Sequence, residues 1–127
     1  MVEVRTFASG RRVRAQLTPG GDLLADLAAA CRRAGLAAAT LAVTGSVRSA
    51  TIGTFDPDQQ VYVTHRVEQP LELGACRGTA DMAGGQPDLR VGVVLADAAG
   101  QVLAGRLFSP TIVFEAEAVF DELKGET

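Results

Sequence analysis

Histidine, cysteine and long hydrophobic runs are scarce in this sequence, and each scarcity excludes a class of protein. Of the 127 residues one is histidine, His65, and two are cysteines, Cys31 and Cys76, which form no C-x-x-C motif. A zinc knuckle or a thioredoxin-type redox pair therefore has no support, and buried free thiols are expected. No apolar run reaches the roughly 18 residues of a membrane-spanning helix, and the N-terminal segment lacks the apolar core of a secretion signal. These absences predict a cytoplasmic protein without a membrane partner.

Positive charge is also limited. The net charge is −3, and Lys124 is the only lysine among the 12 basic residues. Coating DNA requires a surplus of clustered cations, and the sequence pI of about 5.1 excludes that role. The strongest local basic feature is "GRRVR" from Gly10 to Arg14, in which Arg12 and Arg14 lie on one strand face. It could neutralise only about two or three phosphates. The many arginines can also reflect GC-rich codon usage, and this alternative stays open.

Composition and periodicity predict one globular domain over residues 1–127. Hydrophobic residues make up 47% and charged residues 21% of the chain. One helix is predicted between Asp22 and Gly35, with acidic residues near its start, Arg32 and Arg33 near its end and Gly35 as a left-handed cap. From Ala37 onward the apolar period is two, which is typical of strands. The predicted fold is therefore α+β, a mostly antiparallel sheet with one main helix packed on one face.

Three short segments carry specific turn predictions. Ser9-Gly10 is expected to join the strands "VEVRTFA" and "RRVRAQL". Asp97 to Gly100 is expected to join "LRVGVVLA" and "QVLAGRLF", and Ser109-Pro110 to form a tight turn before "TIVFEAEAV". The second of these hairpins carries one arginine in each apolar strand, Arg90 and Arg106.

Four motifs, in this order, resemble one known family over nearly the whole chain. They are the P-G-x-D-L-L helix start, the G-x-V-x-x-A-T-x-G segment from Gly45 to Gly53, the P-L-E-L strand from Pro70 to Leu73, and the D-x-x-G hairpin from Asp97 to Gly100. Together they resemble the plants-and-prokaryotes-conserved (PPC) domain, which follows the AT-hook in plant nuclear-localised DNA-binding proteins. The resemblance implies an antiparallel sheet with a flanking helix, assembled as a homotrimer. It implies the assembly half of those plant proteins, because the DNA-contacting AT-hook has no counterpart here; any link to DNA-associated regulation is by resemblance only.

The chain departs from the family at a metal site. Prokaryotic members typically read His-x-His in the first hairpin strand and Gly-Gly-His in the second. Here Arg90, Gly92 and Arg106 stand at those places. Guanidinium groups offer only hydrogen-bond donors and glycine has no side chain, so no metal and no other cofactor is predicted.

The two hairpin arginines need a negative partner if they share a face. A bulge at Gly100 would place Arg90 opposite Arg106, where like charges cost stability. Without the bulge the two arginines would lie on opposite faces, and the family resemblance favours the bulged register because three metal ligands must share a face. Three partners are possible: a carboxylate of the same chain, a small bridging anion, or acidic side chains of a neighbouring subunit. The first is preferred, because a turn at Ser109-Pro110 would put Glu115 and Glu117 on the arginine face, with Glu115 diagonal to Arg106.

No catalytic set is visible in the sequence. Ser46 lacks a nucleophile elbow, and His65 is expected to be a half-exposed strand residue. Arg77 could lower the pKa of the neighbouring Cys76 thiol, but strand cysteines are mostly packing residues. The sequence therefore predicts a non-catalytic oligomerisation or binding module. The alternative is a binding protein or enzyme for a small anionic metabolite that uses Arg90 and Arg106.

Overall fold

Six strands and one helix make up the part of the chain that the computed structural model describes, residues 1–126. They are β1 (Ala8–Gln16), α1 (Leu23–Ala34), β2 (Ala38–Asp56), β3 (Val61–Val67), β4 (Leu71–Ala83), β5 (Gln86–Ala96) and β6 (Val102–Lys124). The strands form one antiparallel sheet in the order β1-β6-β5-β4-β2-β3. Strand β6 also pairs with β2, so β2, β4, β5 and β6 close into a ring. The predicted α+β class is confirmed.

Helix α1 begins and ends where its capping residues predict. Asp22 accepts a hydrogen bond from the backbone N–H of Ala25 at 3.1 Å, and Gly35 has a left-handed φ of 67°. The helix buries Leu23, Leu27 and Cys31 and packs against β5 and β6. This face joins a continuous apolar core whose largest fully buried side chains include Phe120, Leu71, Leu95, Val47 and Val113. None of the helical segments in residues 1–126 has the length and apolar character needed to cross a bilayer.

The turn predicted at Ser109-Pro110 is wrong, because β6 continues through both residues. Proline cannot donate to a sheet ladder, and here it lies where the pairing of β6 with β2 is irregular. At this irregularity, side-chain oxygens accept hydrogen bonds from backbone N–H groups that do not pair within the sheet. Thr111 Oγ1 accepts from the N–H of Thr51 at 3.1 Å, and Asp22 Oδ1 accepts from the N–H of Thr111 at 2.8 Å. A local proline signal was thus overridden by polar contacts from distant parts of the chain.

The strand pair predicted around Ser9-Gly10 is also wrong. Residues 2–7 form no strand, and β1 pairs instead with the C-terminal half of β6. The register is irregular between Ser9 and Arg12, where Glu122 packs so closely that a Cβ on Gly10 would lie 2.9 Å from its Cβ. The Glu122 carboxylate accepts the backbone N–H of Arg11 at 3.0 Å and pairs with its guanidinium at 3.0 Å. These contacts from Arg11 lower the pKa of Glu122 to about 2.

Candidate functional site

The β5–β6 hairpin brings the candidate residues to one face, in a register two residues from the predicted one. Gly100 has the expected left-handed φ of 80°, but the loop closes on Asp97 and Gln101, whose N–H···O bond is 3.0 Å long. Asp97 belongs to the loop because its carboxylate accepts the backbone N–H groups of Ala99 at 2.9 Å and Gln101 at 2.8 Å. Arg106 therefore lies opposite Gly92, and the predicted Arg90–Arg106 pairing is wrong. A shift by two residues keeps every side chain on its face.

Strands β4, β5 and β6 each contribute to a row of residues across the face of the sheet that carries Arg106. Arg77 on β4 and Arg106 on β6 lie on either side of Gly92 on β5, and each is a direct cross-strand partner of that glycine. Arg90 lies two residues before Gly92 on the same face, and we call these four residues the arginine row. The strand spacing sets the Cα atoms of Arg77 and Arg106 roughly 10 Å apart. A Cβ on Gly92 would meet nothing within 4 Å, so the space between the long side chains is open.

Carboxylates of the same chain neutralise this row only at its rim. Arg90 Nε lies 3.6 Å from Asp88 Oδ2, in an exposed pair. Within residues 1–126, neither Arg77 nor Arg106 forms a salt bridge. The guanidinium carbon of Arg106 instead lies 5.3 Å from the ring centroid of Tyr62 and 5.8 Å from that of Phe108. Cation–π contact holds this side chain in place but leaves its charge unpaired.

The predicted partner, Glu115, lies elsewhere. Because β6 is one continuous strand, Glu115 lies roughly 20 Å along the sheet from Arg106 and pairs with Ser46 rather than lying diagonal to Arg106. It lines a groove of about 350 Å³ with Glu72 and Glu117, which we call the carboxylate groove. Glu117 is paired with Arg14 at 2.7 Å, whereas Glu72 and Glu115 form no salt bridge in the described part of the chain. The internal ion pair that the sequence favoured is absent.

An aromatic cluster of two exposed rings and one half-buried ring borders the arginine row. The ring centroids of Phe55 and Tyr62 are 5.4 Å apart and those of Tyr62 and Phe108 are 5.3 Å apart, both edge to face. Phe108 lies over Gly53, where a Cβ would come within 2.6 Å of its ring. Phe55 is 52% exposed and Tyr62 is 41% exposed. We call Phe55, Tyr62 and Phe108 the aromatic tip, since the first two project from the β2–β3 hairpin at the edge of the sheet.

A second, more apolar groove adjoins the carboxylate groove. It has a volume of about 400 Å³ and shares Ser46 and Glu72 with its acidic neighbour. Phe114, 52% exposed, forms one wall, and the Arg48 guanidinium carbon lies 5.5 Å from its ring centroid. The other lining residues are Val47, Pro70, Leu71, Ala96, Asp97 and Ala98. We call this the Phe114 groove.

The cysteine, serine and histidine side chains are poorly placed for nucleophilic catalysis. Both cysteines are buried free thiols, as predicted, and burial raises the pKa of each, that of Cys76 to about 12. The neighbouring Arg77 therefore does not activate Cys76. His65 is exposed on β3 opposite Ile52, whereas Ser46 is paired with Glu72 and Glu115, so the histidine and the serine lie apart in the sheet.

Arg90, Gly92 and Arg106, which stand where the family resemblance expects histidines, do lie on one face of the sheet. Gly92 and Arg106 are directly opposed, and Arg90 is two residues away. The residues present do not fit a metal ion, because guanidinium nitrogens carry no free lone pair and a glycine offers no ligand. Residues 1–126 also hold no group of three or more His, Cys, Asp or Glu side chains placed to bind a metal.

Comparisons with known proteins identify relatives of this fold. The family model of the Plants and Prokaryotes Conserved (PCC) domain matches residues 4–124. A metal-containing protein from Archaeoglobus fulgidus superposes with a TM-score of 0.92 at 32% identity, over 99% of this chain and 89% of the other. A plant- and prokaryote-conserved (PPC) protein from Pyrococcus horikoshii gives 0.90 at 28% identity, over 100% and 87%. The comparison with curated proteins gives no match.

Proposed function

The chain belongs to the Plants and Prokaryotes Conserved domain family, and from this premise we propose that it works in the cytoplasm as a homotrimeric, non-catalytic binding module. One observation carries the proposal. Large apolar side chains remain exposed on both faces of the β2–β3 hairpin and beside the Phe114 groove, and a contact with further copies of the chain would cover them.

Several large apolar side chains are about half exposed to water. Phe55 and Phe114 are each 52% exposed, Val61 is 48% exposed and Val63 is 44% exposed. Complete burial of such side chains contributes about 1.5–3 kcal/mol each, so leaving them in water forgoes several kcal/mol. Strand β3 is also an edge strand, whose free backbone groups can pair with another chain. Patches of this kind mark interaction sites.

The proposal that the protein is non-catalytic is supported by the low reactivity expected of its cysteine and serine side chains. The thiol pKa values are raised, so little thiolate exists near neutral pH. A serine nucleophile needs a neighbouring base, and the single histidine is on an exposed strand.

The experiment compares two exposed apolar positions by sedimentation equilibrium. The double variant Phe55→Ser, Tyr62→Ser removes the aromatic tip and is expected to shift the mass toward the monomer. The matched control is the double variant Val2→Ser, Val4→Ser, at side chains 82% and 79% exposed before the start of β1. A tip variant that keeps the wild-type mass, or a control that dissociates equally, would overturn the proposal that the tip lies in the interface.

A second candidate function is binding of a small anion, such as phosphate or a carboxylate, at the arginine row. This function is favoured because Arg77 and Arg106, which have no carboxylate partner within residues 1–126, lie on either side of Gly92, where the surface is open. Added phosphate would then raise the melting temperature in a saturable way. Arg106→Gln should abolish the rise and Arg33→Gln, the same charge change on the exposed end of α1, should not. A wild type that phosphate leaves unchanged would refute this candidate.

A further inference from the structure

We infer that the arginine row and aromatic tip of one copy dock onto the carboxylate groove and Phe114 groove of the next copy. The inference rests on the proposed self-assembly and specifies the two surfaces that meet. It commits to a second copy of this chain as the occupant of both grooves.

Charge complementarity is the first argument. Arg77 and Arg106 have no carboxylate partner, and Glu72 and Glu115 have no cationic one, within the chain as far as residue 126. If the two arginines of one copy lie against the two glutamates of the next copy, every one of these charges gains an opposite partner. Two arginine rows, or two carboxylate grooves, would repel each other. Arg48 is the one basic residue that lines the grooves, and its guanidinium lies over Phe114.

Continuity of each surface is the second argument. Arg106 contacts both Tyr62 and Phe108, so the basic and aromatic residues form one surface. On the other side, Ser46 and Glu72 line both grooves, so the acidic and apolar residues also form one surface. Tyrosine, phenylalanine and arginine are the residues enriched in the cores of protein interfaces. A projecting aromatic tip and an apolar groove of about 400 Å³ are the matching convex and concave parts.

The two surfaces share no residue, so each copy carries one basic, aromatic surface and one separate acidic, apolar surface. In a head-to-tail arrangement the same contact repeats from copy to copy until a ring closes, and a closed ring of three is the trimer proposed above. In a two-fold dimer the two copies would make the same contact twice, so the mass of the assembly distinguishes the dimer from the ring of three.

Charge reversal tests the contact. Arg77→Glu with Arg106→Glu is expected to dissociate the assembly, as is Glu72→Arg with Glu115→Arg. The chain carrying all four changes regains complementarity and is expected to regain the wild-type mass. The control Arg33→Glu makes a similar change away from both surfaces and should leave the mass unaltered. Circular dichroism establishes that each variant is folded.

The possible results distinguish failure of the proposed self-assembly from failure of this particular contact. A monomeric wild type refutes the proposed self-assembly. An oligomeric wild type whose mass survives both reversals, or a four-fold variant that stays monomeric, refutes only this contact. If a reversed chain fails to fold, Arg106→Gln and Glu115→Gln replace it; each should weaken association about tenfold or more, and unchanged association would overturn the inference.

Discussion

Asp22 connects helix α1 to strand β6, and its removal provides a quantitative test of the fold. Its Oδ2 accepts from the N–H of Ala25 at 3.1 Å and from the Ser109 hydroxyl at 2.7 Å, while Oδ1 accepts from the N–H of Thr111 at 2.8 Å. Thr111 is fully buried. The variant Asp22→Ala therefore loses a helix cap and leaves a buried backbone donor unpaired.

The expected cost follows from these three bonds. Loss of the cap costs about 1 kcal/mol, the unpaired N–H of Thr111 about 1–3 kcal/mol, and the Ser109 bond about 1 kcal/mol. Asp22→Ala should thus lower the free energy of unfolding by about 3–5 kcal/mol.

Urea unfolding followed by circular dichroism, at one fixed protein concentration, measures this loss. The matched control is Asp26→Ala, also in the first turn of α1, whose carboxylate accepts the N–H of Thr18 at 3.1 Å and no other hydrogen bond from residues 1–126. It should cost about 1 kcal/mol or less. A loss below about 1 kcal/mol for Asp22→Ala, or equal losses for the two variants, would refute this account of how β6 passes through Pro110.

Three further predictions concern pH, thiol reactivity and metal. Because Arg11 lowers the pKa of Glu122 from 4.5 to about 2, its ionised form stabilises the fold fully above pH 4.5, and this contribution disappears as the pH falls toward 2. The stability advantage of wild type over Glu122→Gln should shrink across that interval, and an advantage independent of pH would contradict the role of Arg11. Cys31 and Cys76 should resist a thiol reagent under native conditions and react after unfolding in urea; rapid native labelling would contradict their burial. The purified protein should carry no stoichiometric zinc and keep its melting temperature in a chelator, whereas about one ion per chain would show that other ligands exist.

Local signals in the sequence predicted the helix and the fold class but not the pairing of distant residues. Asp22 and Gly35 act within one or two turns of α1, so their effect can be read from neighbouring residues. Ser109-Pro110 carries the same kind of local signal for a turn, yet bonds from Thr51 and Asp22 hold it inside a strand. Such contacts depend on chain segments more than fifty residues away.

The candidate site was predicted only in part, for the same reason. The family resemblance favoured a register with Arg90, Gly92 and Arg106 on one face, and the structure places them on one face. The partner assigned to Arg106 was wrong because it depended on the predicted turn. Arg77 was missed although a signal for it exists: the two-residue Gly84-Gly85 turn, with positive φ at both glycines, pairs β4 with β5 and sets Arg77 opposite Gly92. The register between strands, rather than their existence, limits what the sequence reveals here.

The mass of the wild-type assembly in solution tests the central claim most directly. Sedimentation equilibrium at several micromolar concentrations is predicted to give about 40 kDa, which is three times the chain mass of 13.2 kDa. A single species of 13.2 kDa across that range would contradict the claim, because the aromatic tip and the Phe114 groove would then face water.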